Sequence, residues 1–221
     1  MLVNAQRDLL IFGIFSNHIV YCCVMITTPN PVYRQLLSQL QLFDKISDED
    51  LDTIMQGFSL MSIKKGELLV KQGSLVNRLY FINSGFLRAY YINEEGEQFT
   101  TSIGESGQMM TSFEGFQKGV KATEFIEALS DCELLVVNKS DYDRIYRSLK
   151  SWPKYCTSIY ENAILRAGER LLDMQRLNAT QRYEKLLRNR PNVAMHVPVK
   201  YLASYLGLQP QSLSRIRAQI K

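Results

Sequence analysis

The stretch YLASYLGLQPQSLSRIRAQIK, residues 201–221, puts Gln211, Ser214 and Arg215 at the outward positions of a short helix. Each of these side chains can hydrogen-bond the edge of a nucleic-acid base, and Arg215 can do so in bidentate fashion to O6 and N7 of guanine. The residues that must carry them are patterned around a turn. Ala203, Gly207 and Leu213 fall four and six apart. A small residue lets a second helix approach, Gly207 permits a left-handed turn, and Leu213 with Ile216 packs that second helix on the first. This is helix-turn-helix spacing; an αα-hairpin with no nucleic-acid role would use the same packing residues.

Charge is divided in the same way. The 221-residue chain has 26 Lys and Arg against 22 Asp and Glu, a net +4. From Ala163 onwards there are eleven Lys or Arg and three acids, a net +8, so the remainder carries −4. A C-terminal part suited to a polyanion follows an N-terminal part that is not. With 46% hydrophobic and 22% charged residues, the composition is that of a folded chain with room for one large domain or two ordinary ones. The four cysteines, at 22, 23, 132 and 156, form neither a CxxC pair nor a disulfide framework, which fits a reducing cytoplasm. Two histidines, His18 and His196, lie far apart and argue against metal or imidazole chemistry.

Residues 1–29 read as an extension. Its apolar run LLIFGIFSNHIVYCCVMI is interrupted by Ser16, Asn17 and His18, and no small-residue cleavage site follows. A membrane anchor, a buried or loose extension, and a translation start at Met25 are the three readings; the second or third is expected, with no membrane partner and a dispensable segment before Met25. Asn30 as cap and Pro31 in the first turn open the folded part. Residues 31–58 read as two short helices, the second capped by Ser47 with Asp48, Glu49 and Asp50 in its first turn.

Between Leu60 and Val137 the period changes to two. LLVKQG, RLYFINSGFLRAYYI, QFTTSI and FIEALSDCELLVV are short strands punctuated by glycines, the pattern of a sandwich or barrel. The helical period returns after Ser140, and a long helix is expected over 152–177. Along it Tyr160, Ile164, Ala167, Leu171 and Met174 alternate by four and three, with Leu165 and Leu172 beside them. That is a coiled-coil seam for a second copy of the chain, next to a strip that packs on the barrel. Asn178 and Thr180 cap the next helix, and Val199 opens another. The expected fold class is α+β: residues 30–150 a double-stranded β-roll, 151–177 a dimerisation helix, and 178–221 a helix-turn-helix unit.

KKGELLVKQG, RLYFINSGFLRAYY, the long helix and LASYLGLQPQSLSRIR together resemble the CRP/FNR transcription regulators over roughly Val32 to Lys221. With QRYEKLLRNRP before it, the tail is similar to the compact Bacteroidetes-type members. The resemblance implies a homodimer joined through the long helices, a cyclic-nucleotide-domain-like roll that senses a small-molecule effector, a two-fold symmetric double-stranded DNA site, and contact with RNA polymerase. It also implies residue roles. FNR-type members show Glu-x-x-Ser-Arg where this chain has Gln211-Ser212-Leu213-Ser214-Arg215. Gln211, Ser214 and Arg215 would then read bases, while Lys200, Gln209 and Ser212 would set the helix on phosphates. Nucleotide-binding members place a Glu for the ribose and an Arg for the cyclic phosphate in the stretch matching GQMMTSFEGFQKGVKATEF. Here those positions hold Ser112 and Ala122; Thr123 alone keeps the hydroxyl beside the phosphate, with Met110 nearby. The effector pocket is thus expected at Met110, Ser112, Ala122 and Thr123 without the usual anchors, and cyclic AMP is not expected to bind. No cofactor is implied, since iron–sulfur members need closely spaced N-terminal cysteines beyond Cys22 and Cys23.

Two other functions fit parts of the chain. Metal-dependent enzymes also use double-stranded rolls, but they need two or three histidines on the strands, and residues 60–137 contain none. A signalling module that binds a ligand or partner without reading DNA is the remaining alternative.

Overall fold

The computed structural model describes residues 30–220; the extension 1–29, with Cys22, Cys23 and His18, and Lys221 lie outside the described residues. Its start is built as the caps require. Asn30 Oδ1 accepts from the Val32 amide at 3.2 Å and precedes a 3₁₀ turn, Pro31–Tyr33, that runs into α1 (Arg34–Leu40). Ser47 caps α2 (Asp48–Gly57) in a reciprocal box with Asp50, at 3.1 and 3.0 Å. Three acids in that first turn complement the helix dipole.

The strands that follow are β1 (Phe58–Ile63), β2 (Leu68–Val70), β3 (Arg78–Ser84), β4 (Phe86–Ile92), β5 (Gln98–Glu105), β6 (Met109–Met110), β7 (Phe125–Ala128) and β8 (Cys132–Asn138), with α3 (Phe113–Lys118) between β6 and β7. They form two antiparallel four-stranded sheets, ordered β1-β8-β3-β6 and β2-β7-β4-β5. β1 begins at Phe58, two residues ahead of the strand-like alternation. The two-residue β6 is too short to leave a period. β3 and β4 are joined through Gly85, whose φ of 91° and lack of a side chain are both required: a Cβ there would lie 2.5 Å from the Asp131 carbonyl. Phe81, Ile82, Leu87, Ile126, Leu134 and Leu135 fill the roll and are fully buried.

Helices α4 (Lys139–Ser148) and α5 (Ser151–Arg176) leave the roll. Trp152, completely buried, packs edge-on against Phe58 and Tyr142 with centroids 5.6 and 5.9 Å apart. It anchors the first turn of α5, from which 26 residues, about 39 Å of helix, run along the molecule. Asn178 caps α6 (Ala179–Asn189) in a second box with Gln181. α7 (Pro191–His196), α8 (Val199–Leu206) and α9 (Pro210–Gln219) complete the described chain. α7 had no counterpart in the sequence reading, because its six residues cover less than two turns and carry little periodic signal.

Candidate nucleic-acid interface and sensor cavity

The geometry of α8 and α9 follows from three residues. Gly207 ends α8 in the left-handed region (φ 67°), and the Leu208 amide returns to the Ala203 carbonyl at 2.9 Å, satisfying an otherwise unpaired acceptor. Ala203 and Leu213 are fully buried and Ile216 nearly so, so α9 lies against α8 along that side. Gln211, Ser214 and Arg215 face solvent on the other side. The Ser214 hydroxyl donates to the Pro210 carbonyl at 3.0 Å, while the Arg215 guanidinium has no ion-pair or hydrogen-bond partner among the described residues. Gln209, at the N-cap of α9, and Lys200, on α8, are exposed; Ser212 is half-buried. Arg217 is different. It donates to the Tyr183 hydroxyl at 3.1 Å and to the Ala194 carbonyl, tying α9 to α6 and α7. Its place four residues beyond buried Leu213 puts it on the inner side.

These helices are docked on the roll through contacts that no motif announced. Arg88, in the middle of β4, is 1% exposed. Its guanidinium lies between the rings of Tyr90 and Tyr201, at 4.0 and 3.7 Å, and donates to Glu127 at 2.7 Å, to Gln98 and to Thr100. Tyr201 belongs to α8, so a buried cation of the roll is completed by the C-terminal helices. β5 is the outer strand of its sheet, and its free backbone groups are bonded by side chains. The Thr100 amide donates to Ser204 Oγ at 2.8 Å. Arg170 of α5 donates to the carbonyls of Thr100, Thr101 and Tyr205 at 3.2, 2.8 and 3.1 Å. Arg190 donates to the Ile103 carbonyl and to Glu105 at 2.8 and 2.7 Å. Ile103 and Leu129 of the roll share one apolar cluster with Tyr183, Leu202, Leu206 and Leu213. The only sequence signal was Arg88 itself, a charge between the apolar residues Leu87 and Ala89.

A cavity of about 570 Å³ lies between the roll and α5. Met110 is on its wall, and Ser112, Ala122 and Thr123 are not. Ser112 and Ala122 are buried in packing, the latter held by backbone bonds to Gly73 and Ser74, and Thr123 points to solvent. Glu124, two residues after Ala122, accepts from the Thr101 hydroxyl at 3.5 Å. Burial raises the pKa of its carboxyl, against hydrogen bonds with Ser112 and Thr101 that lower it. A half-buried acid therefore stands two residues beyond Ala122. Cyclic AMP at millimolar concentration is accordingly expected to leave the melting temperature unchanged. A ligand present at a hundred times its Kd would add about 2.7 kcal/mol of stability, so a clear upward shift in scanning fluorimetry would refute this. Cys156 on the cavity wall accepts from the Tyr142 hydroxyl at 3.5 Å, and burial pushes its thiol up to about 11, so it is a neutral thiol near pH 7.

The seam residues of α5 divide. Ile164, Ala167 and Leu171 are exposed, Ile164 at 71% and Leu171 at 63%, with Leu165 and Leu172 exposed beside them. Tyr160 and Met174 have partners in their own chain. Tyr160 shares hydrogen bonds with Tyr142 and Gln117, at 3.1 and 3.0 Å, and meets Phe113 edge-on; a Cβ on Gly207 would come within 3.0 Å of Met174 Sδ. The outward apolar stripe is shorter than the heptad pattern alone suggests.

Residues 60–148, the greater part of the roll, match the model of the cyclic nucleotide-binding domain. Relatives match over a longer span. The chain is 23% identical over 197 residues to the anaerobic regulatory protein of Pasteurella multocida, covering 84% of this chain and 71% of that protein. It is 24% identical over 165 residues to the nitrogen fixation regulation protein FixK of Rhizobium meliloti, covering 72% and 73%. FixK2 from Bradyrhizobium japonicum shares the fold with a TM-score of 0.65, at 18% identity over 74% of this chain and 84% of that one. A crp/fnr-family structure from Eubacterium rectale gives 0.60 at 16% identity, covering 78% and 82%. The curated relatives it matches are thus regulators of the FNR and FixK type, and solved structures of crp/fnr-family proteins share its fold.

Proposed function

We propose that the protein is a transcription regulator that binds a two-fold symmetric DNA site as a homodimer and responds to a small-molecule effector other than a cyclic nucleotide. The observation that carries this reading is the outward face of α9. Gln211, Ser214 and Arg215 stand exposed on a helix whose opposite side is sealed by Leu213 and Ile216. The net +8 after residue 163 supplies a sequence-independent attraction to phosphates. Lys200, Gln209 and Ser212 fix the register on the backbone, and the exposed stripe of α5 joins two copies. Contact with RNA polymerase and a cytoplasmic setting belong to the same reading; among the described residues no helix is long and apolar enough to cross a membrane.

Selection from random double-stranded DNA tests the proposal. A two-fold motif is expected, with a G opposite Arg215 in each half-site and a position set by Gln211 that differs from the FNR-type site, since Gln favours adenine where Glu accepts from cytosine. Arg215→Ala is expected to cost about 1–3 kcal/mol per half-site and to relax preference at that base pair alone. Lys200→Ala is expected to weaken all sequences alike and to reduce the salt slope by about one. Failure to select any two-fold motif, or unchanged base preference in Arg215→Ala, would overturn the assignment of α9.

A further inference from the structure

The cavity between the roll and α5 has a direction. From Cys156 to Met174 its wall follows eighteen residues of α5, about 27 Å. At the end nearest Trp152 it is mainly apolar, walled by Met109, Met110, Phe113, Phe116, Ile159 and Tyr160, with Thr111 and Gln117 the polar groups among them. Towards the C-terminal end of α5 it meets Arg166, Arg170 and Arg190 beside the seam residues Ala167, Leu171 and Met174; no Asp or Glu lines it, while Glu105, Glu169 and Asp173 wall the adjoining hollow that Arg166 also borders. The three cations are not equivalent. Arg190 is neutralised by Glu105, and Arg170 is committed to three backbone carbonyls. Arg166 is exposed and has no hydrogen bond or ion pair among the described residues. Glu169, three residues on, and Asp173, seven on, are engaged by Lys185, at 3.9 and 2.8 Å, and Glu161, five residues back, makes no ion pair with it among the described residues. An apolar trough thus ends at an unspent guanidinium, with the uncompensated charge of Arg170 behind it.

We propose that this cavity binds an elongated amphipathic organic anion, its hydrocarbon part between β6, α3 and α5 and its carboxylate, or an equivalent oxyanion, on Arg166. The proposal rests on the reading of the roll as an effector sensor and names the chemical class of the effector. A guanidinium recognises an oxyanion through charge-assisted, often paired hydrogen bonds. Burial of the apolar part supplies the affinity, and the cavity lies within the size range of ligand sites, roughly 300–1,000 Å³. A cyclic nucleotide has its charge and its polar sugar at one compact end and would leave the apolar end unfilled.

Decanoate, decylamine and 1-decanol carry one chain length with three head groups, and titrating each into the full-length protein below micellar concentration tests the proposal by calorimetry. Decanoate is expected to bind at least about tenfold more tightly than the other two, the fold-change that a charge-assisted hydrogen bond provides. Arg166→Ala, at an exposed position, is expected to remove that preference and leave decanol binding unchanged. Ala163→Trp, which fills the trough from an exposed position on α5, is expected to abolish binding of all three. Equal affinity for the three head groups, or decanoate binding untouched by Arg166→Ala, would overturn the choice of an anion. Binding that survives Ala163→Trp would place the ligand outside the trough and overturn the proposal. No binding at all would overturn it too, the seam residues Ala167 and Leu171 on the trough wall then being covered by a second copy. DNA selection with the same protein keeps the two readings apart, since it depends on α9 and not on which head group binds.

Discussion

Arg88→Ala is expected to lower the melting temperature by about 6–20 °C. Removing one partner of a buried, hydrogen-bonded ion pair costs about 3–5 kcal/mol, and at this chain length each kcal/mol shifts the midpoint by about 2–4 °C. The site meets the conditions for the full effect. Arg88 is 1% exposed and Glu127 only 13%, so water can do little to replace the lost charge. Tyr90 and Tyr201 would also face a void where the guanidinium had been, and Gln98 and Thr100 would lose a donor. Because Tyr201 is on α8, the loss should be unevenly distributed. Amide exchange in α8 and α9 is expected to accelerate more than exchange in β3 or β8. Arg88→Met combined with Glu127→Leu removes both charges and keeps volume, so it is expected to recover most of the midpoint. A fall of less than 2 °C in Arg88→Ala would show that the cation contributes little to joining the roll and the C-terminal helices.

That junction is the part of the molecule least legible in the sequence. Ser47, Asn178 and Gly207 announced their caps and turn because each acts on neighbours within a few residues. The roll was legible for a similar reason: alternation along each strand reports a buried face, and Gly85 marks a turn that nothing larger can make. Arg88 meets Tyr201 from far along the chain, and Ser204, Arg170 and Arg190 act on distant residues or on backbone atoms that have no identity in a sequence, so spacing cannot reveal them. The outward positions of α9 followed from the spacing of Ala203, Gly207 and Leu213, and all three, Gln211, Ser214 and Arg215, are exposed. Carrying positions over from nucleotide-binding relatives led to Ser112, Ala122 and Thr123, whereas the cavity opens towards α5 and takes in Met110 alone of the four. Ala122 is small enough to be buried, 3% exposed, where a charged side chain would need room.

Leu171→Glu is expected to convert the protein to monomers in analytical ultracentrifugation, with its helical content unchanged by circular dichroism. Leu171 is 63% exposed in a single chain and lies within the outward stripe with Ile164 and Ala167. The monomer therefore tolerates a carboxylate there, whereas a paired seam would have to bury one from each chain, unpaired and facing its twin. Such charges cost several kcal/mol each in a dry interface. Sequence-specific binding should be lost together with the dimer, because two half-sites held by one protein each contribute affinity only when the subunits are joined. An unchanged dimer would move the interface away from this part of α5.

The capping of β5 has a consequence for solubility as well as for geometry. An outer strand with free amides and carbonyls is a template on which another chain can add a strand, the route by which β-proteins aggregate. Here the groups of Thr100, Thr101 and Ile103 that would serve as that template are occupied by Ser204, Arg170 and Arg190. Swinging α8 away from the roll would strip part of this cover, so any movement of the C-terminal helices in response to a signal is limited to positions that keep the strand bonded or leave it open only to water. The helical part of the chain thereby also guards the roll against self-association through this strand.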